Sequence, residues 1–285
     1  MNGVVNLYKP KGWTSRDAVN KVRSCLGVKE VGHMGTLDPQ GEGVLPVGVG
    51  KATRLFDAFL KKDKVYEADF AFGYETDTLD GEGTVVSDGG IIPSESEVEE
   101  AIGKLVGEQM QIPPAYSAKS VGGVRAYDLA RKGEKVELKP ALVTIYDARV
   151  IGRSGDTYRV YVHCGAGTYI RSVCRDLAYS LGTYATMTSI KRIRSGVFKA
   201  ENSVTVYDLI NLKEKAVIPV SDVLADFPRF DVPDEKYEKL RNGVKIFVPQ
   251  TPAPPFAVYC RNELFGLCEL RDDGTIKIKT YLKDD

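Results

Sequence analysis

Six glycines and two prolines fall within residues 32–54, GHMGTLDPQGEGVLPVGVGKATR, and no long helix can run through them. Glycine is costly and proline is breaking inside a helix. The first half of the stretch is therefore an irregular loop. Residues 44–49 read as a short apolar strand that leads into a helix starting near Ala52. The loop exposes one carboxylate, Asp38, set between Leu37 and Pro39. The following proline drives Asp38 toward an extended backbone. An Asp-Pro pair alone is an ordinary turn opener. A carboxylate in a loop this dense in glycine, beside the first of only two histidines, His33, instead marks a place where backbone approaches a ligand closely.

At 285 residues the chain can hold one large domain and a small one. It has no apolar run long enough to cross a membrane. Its first residues, MNGVVNLYKPKG, lack the basic and apolar regions of a signal peptide, so the expected location is the cytoplasm. The five cysteines are odd in number, and none is spaced as a zinc or redox pair, which makes them reduced, buried hydrophobes. Two histidines make a His-rich metal site an unlikely design. The 39 basic and 39 acidic residues cancel. No basic coat is visible, so any nucleic-acid contact must come from a local basic face.

Residues 4–7 read as a strand. Ser15 is placed to cap a helix from Arg16, with Ala18, Val19, Val22 and Leu26 on one side and Gly27 at its end. Lys9 and Lys11 lie in the turn between, either solvated, contacting phosphate or supporting the neighbouring loop. Arg54 opens an apolar helical run to Leu60, followed by a basic cluster of Lys61, Lys62 and Lys64. Residues 65–72 alternate as a strand with Tyr66, Ala68, Phe70 and Phe72 on one face. Ser94 and Glu97 form a capping box before a helical stripe. A short helix is expected over 125–133, strands over 143–150 and 157–163, and a helix over 172–181 with Gly182 as its C-cap. Helices and strands interleave without a βαβ rhythm, which implies an α+β domain with a mixed, largely antiparallel sheet. The expected boundary lies near residue 226. Beyond it, a short helix over 235–240 and strands over 244–248, 256–261, 264–270 and 275–281 suit a small β-barrel.

The central stretch closely resembles the signature of the TruB family of tRNA pseudouridine synthases. KPKGWTS, KVYEA at 64–68, TDTLDGEG at 76–83, QIPPAYSAKS at 111–120 and GTYIRSVCRDLA at 167–178 resemble further family motifs in family order, over about two-thirds of the chain. The resemblance implies a pseudouridine synthase catalytic domain over 1–226 and a PUA-like RNA-binding domain over 227–285. It implies conversion of uridine 55 in the tRNA T-loop to pseudouridine by a monomer, with base flipping, no cofactor, no metal and no membrane partner.

By the same resemblance Asp38 is the catalytic carboxylate and Arg171 the arginine that pairs with it. A lone ionised carboxylate in a dry pocket is costly, and a guanidinium holds it through parallel hydrogen bonds. Tyr66 matches the tyrosine that lies against the target base, although periodicity alone makes it a core residue. Tyr169 and Ile190 match positions lining the uracil pocket; the family often has leucine where this chain reads SIKRIRSG. His33 resembles the residue that fills the space left by the extruded base. Asp80 resembles an acidic residue near the site, or forms a turn. Arg54, Lys191, Arg192 and Arg194 are candidate phosphate contacts. Two other readings compete. One is a tRNA-binding folding factor, an RNA chaperone, whose main role needs no catalysis. The other is a phosphate-binding NTPase loop, which fails because Ala52 follows Lys51 where Ser or Thr is required.

Overall fold

The computed structural model describes residues 1–117, 119–121, 123–131, 138–248 and 250–283. They gather into two compact units. Met1–Pro39, Val44–Leu60 and Val197–Asp285 form one; Gln40–Gly43 and Lys61–Gly196 form the other. The expected boundary at 226 falls inside the first unit.

The first unit begins with β1 (Gly3–Lys9), α1 (Ser15–Leu26), β2 (Val31–His33) and β3 (Glu42–Val49). Thr14, not Ser15, caps α1. Its hydroxyl accepts from Asp17 N while the Asp17 carboxylate accepts from Thr14 N, a complete capping box. Gly27 ends the helix in the left-handed conformation, φ 64°. The chain leaves β3 through a 3-10 segment, Gly50–Leu55, before the short α2 (Phe56–Leu60). The helix expected at Ala52 is therefore tighter and shorter than its apolar pattern suggests.

The second unit holds β4 (Lys64–Phe72), β5 (Glu75–Thr76), β6 (Val85–Ser87), α3 (Glu95–Gly103), β7 (Gly107–Gln111), β8 (Ser120–Val121), β9 (Val124–Arg125), α4 (Ala126–Arg131), β10 (Ala141–Ser154), β11 (Thr157–Cys164), α5 (Ile170–Ser180) and β12 (Ala185–Ser195). The end of the helix expected over 125–133 lies outside the described residues. Its sheet runs β12-β4-β11-β10-β7 with antiparallel pairing throughout. The start of β3 adds one parallel contact, Lys191 opposite Glu42 and Arg192 opposite Gly43. The sheet is thus mixed and largely antiparallel, as the sequence implies. Gly43 has φ +104°, and a Cβ there would lie 2.3 Å from the Arg192 carbonyl oxygen; only glycine permits this approach. Helix α5 packs on β12 and β4, and α3 on β10 and α5. Ser94 and Glu97 make the expected capping box of α3.

The first unit resumes with β13 (Phe198–Lys199), α6 (Val206–Leu212), β14 (Ile218–Pro219), α7 (Val220–Val223), β15 (Arg229–Asp231), α8 (Tyr237–Arg241), β16 (Ile246–Phe247), β17 (Phe256–Cys260), β18 (Glu263–Leu270) and β19 (Thr275–Tyr281). β14 pairs with β1, which neighbours β3. The last strands form a five-stranded sheet, β15-β17-β18-β19-β16, open between β15 and β16. It is a half-barrel, consistent with the small β-barrel expected. Strand β17, FAVYC, is apolar throughout because both its faces are covered. Phe256, Val258 and Cys260 enter a core with Phe265 and Ile276. Ala257 enters the other core of this unit, with Val4, Phe59, Val223 and Leu267.

Candidate active site

Asp38 is half-buried in the loop after β2, and its two chain neighbours are clamped. The Ser15 hydroxyl accepts from Leu37 N at 3.0 Å and donates to Leu37 O at 2.9 Å. On the other side the Pro39 carbonyl accepts from Gly12 N at 2.8 Å and from Lys9 Nζ at 3.2 Å. Lys9 is fully buried and also donates to Pro10 O and Trp13 O. The turn lysine is thus a support for the loop, while Lys11 stays exposed. A buried ammonium spending its protons on carbonyls can hold a glycine-rich loop that has no regular structure of its own. His33 ends β2, opposite Val47. Arg54 is exposed and donates to Tyr281 O at 3.1 Å.

Removing the Ser15 hydroxyl orphans both polar groups of Leu37. We expect Ser15→Ala to cost about 1–3 kcal/mol in urea denaturation and to lower turnover of the folded protein; unchanged stability would show the clamp to be dispensable.

The remaining predicted site residues lie in the second unit. On β4, Tyr66 faces Arg192 of β12 and Val162 of β11, and Ala68 faces Ile190. Directly opposed residues share a face, so Tyr66, Ile190 and Arg192 lie together on the closed side of the sheet, 9%, 7% and 1% exposed. Arg192 is therefore no surface phosphate contact: the strand alternation turns it inward. Lys191 points the other way and is half-buried. Arg194 is taken up by Asp63 at 2.6 Å and His163 at 3.0 Å. Burial raises the Asp63 carboxyl, but the His163 hydrogen bond and the Arg194 charge together hold it below the usual range.

Helix α5 starts two residues earlier than the sequence suggests, which puts Arg171 in its first turn. Tyr169 is the N-cap, half-buried, with no side-chain cap of its own. Gln111 holds its backbone instead: its Oε1 accepts from Tyr169 N at 2.9 Å and its Nε2 donates to Tyr169 O at 3.3 Å. A cation at a helix N-terminus opposes the helix dipole. Arg171 is buried there with compensation. It donates to Thr78 O at 3.2 Å and Tyr116 O at 3.1 Å, and its guanidinium lies 3.4 Å from Asp80 Oδ2. The other Asp80 oxygen accepts from the Thr78 hydroxyl at 2.6 Å and from Glu82 N at 3.2 Å. Asp80 thus forms the turn and meets the arginine as well.

Two residues were not singled out by sequence. Gln111 lies within a recognised motif, but nothing local ties it to Tyr169, 58 positions away. Lys64 reads as part of a basic cluster, yet it is 6% exposed. Burial, and then the charge of Arg192, push its ammonium down to about 8. Among the described residues no cluster of three His, Cys, Asp or Glu side chains could hold a metal, and no helix is long and apolar enough to cross a membrane.

The model of the TruB family pseudouridylate synthase N-terminal domain matches residues 23–170. That of the tRNA pseudouridylate synthase B C-terminal domain matches residues 171–225. A tRNA pseudouridine synthase B of Clostridium perfringens is 43% identical over 296 residues, covering 100% of each chain. One of Clostridium novyi is 40% identical, covering 99% of this chain and 100% of that one. Among solved structures, a chain from an H/ACA ribonucleoprotein bound to a substrate RNA containing 2′-deoxyuridine has a TM-score of 0.75 at 24% identity. It covers 99% of this chain and 85% of that one, a likeness of fold.

Proposed function

The chain belongs to the TruB family of pseudouridylate synthases and is a tRNA pseudouridine synthase, and from that premise we propose that it isomerises uridine 55 in the T-loop of tRNA. The observation that carries the reading is the double clamp on Leu37 and Pro39, which holds the Asp38 carboxylate on an otherwise irregular loop. A reacting carboxylate has to be held in place before the substrate arrives.

In this reading the target uridine leaves its stack, at a cost of a few kcal/mol, and its base lies against Tyr66, with Tyr169 and Ile190 lining the pocket. Asp38 either adds to ribose C1′ or removes the C2′ proton; in both routes the bond from C1′ to N1 breaks. The base turns and rejoins through C5, whose proton is lost while N1 gains one. Nothing is oxidised or hydrolysed overall, so the reaction calls for no redox cofactor. Arg171 supplies the cation for the catalytic carboxylate, and His33 takes the space the base vacates. The half-barrel after residue 227 serves as a PUA-like RNA-binding module, and the enzyme works as a monomer in the cytoplasm.

The test is tritium release from tRNA transcripts carrying tritium at C5 of their uridines, without added nucleotide or redox cofactor. Release is expected from the normal transcript and not from one with cytidine at position 55. Equal release from both would reject the assigned position; none from either, with the tRNA still bound, would favour a folding factor.

A further inference from the structure

Two basic side chains are buried on the sheet face that carries Tyr66, and the roles given above do not use them. Lys64 lies two positions before Tyr66 on β4, so both point to the same side. Arg192 lies directly opposite Tyr66 on β12. They are 6% and 1% exposed. The strand neighbours of Lys64 are Cys164 on β11 and Ser195 on β12. Its ammonium donates to Lys62 O. The charged and titratable groups acting on it include Arg192, the Cys164 thiol and Asp63. Asp63 is itself engaged by Arg194 and His163. Like charges buried side by side destabilise a fold. Both cations stand on the face of the base-binding tyrosine, and the field of a buried cation is less screened than in water.

We propose that Lys64, with Arg192 beside it, stabilises the negative charge that develops on the detached uracil. The inference rests on the assignment of Tyr66 as the residue that holds the base. When the bond from C1′ to N1 breaks, its electron pair goes to the base and spreads over N1, O2 and O4. The charge disappears when C5 bonds to C1′, the C5 proton passes to solvent and N1 takes one up. A positive field strongest in that interval lowers the barrier and leaves tRNA binding unchanged. Lys64 acts through its field, as an electrostatic positioning group.

Single-turnover tritium release from pH 6.5 to 9.5 tests it, with melting temperature and tRNA affinity measured alongside. In wild type the rate falls above about pH 8, where Lys64 loses its proton. Lys64→Arg keeps its charge throughout, so the rate at pH 7 stays within about threefold and the alkaline fall disappears. Lys64→Met lowers the rate at pH 7 by about tenfold or more, with affinity held within about threefold and a flat profile from pH 7 to 9. A folded Lys64→Met with the wild-type rate overturns the proposal, as does Lys64→Arg keeping the wild-type alkaline fall. Should Lys64→Met fail to melt cooperatively, the profile of Lys64→Arg decides. A wild type that binds tRNA and releases no tritium removes the parent reading, a result distinct from any change in profile.

Discussion

Asp38→Asn is expected to remove turnover altogether while leaving tRNA affinity within about tenfold, a loss below ~1.4 kcal/mol. The amide fills the same space as the carboxylate. It can neither add to C1′ nor accept the C2′ proton at a useful rate. Its loop should stand, because the clamps act on the backbone of Leu37 and Pro39 and leave the Asp38 side chain aside. Tritium release and a filter-binding titration on the same preparation check both halves. Parallel loss of binding and turnover would show that Asp38 supports the fold instead. Turnover near the wild-type rate would remove the carboxylate from the chemistry.

Arg171→Met carries the second large effect, and it falls on stability as well as activity. The substitution leaves the Asp80 carboxylate without the cation 3.4 Å away, and it leaves Thr78 O and Tyr116 O without their donor. Breaking a buried pair from one side costs about 3–5 kcal/mol, measurable as a shift in urea midpoint. Arg171→Lys keeps the charge but cannot span three acceptors set around a planar fork. It should lose about 1–3 kcal/mol and most of the activity. An Arg171→Met protein as stable as wild type would show that the Asp80 contact contributes nothing net. A folded, fully active Arg171→Met would also remove Arg171 from the site.

Much of this architecture is legible locally. The capping box of α3 and the glycine that ends α1 are written in adjacent residues. Strand β4 shows its buried face by alternation of Tyr66, Ala68, Phe70 and Phe72. Strand β12 shows nothing of the kind, although it pairs along the whole of β4. Its inward positions carry Ile190 and a buried arginine, its outward ones Ser189 and Lys191, so the segment reads as a basic surface. Two register shifts break its alternation as well. The C-terminal strands were visible as strands. That they form an open half-barrel, whose Ala257 joins a core with Val4 and Phe59, was not, because a run such as FAVYC signals burial on both faces without naming the neighbours.

The sequence by itself determined the family and the residues that carry its motifs, through short-range order that neighbouring side chains can encode. Only the tertiary structure decided where charges met. Asp80 and Arg171 stand on separate elements, and helix packing brings them within 3.4 Å. Lys64 and Arg192, which the chain presents as part of a basic cluster and a candidate phosphate contact, are turned inward by strand register. A charge's partner and its burial depend on distances across the fold, and no local pattern of residues holds that information.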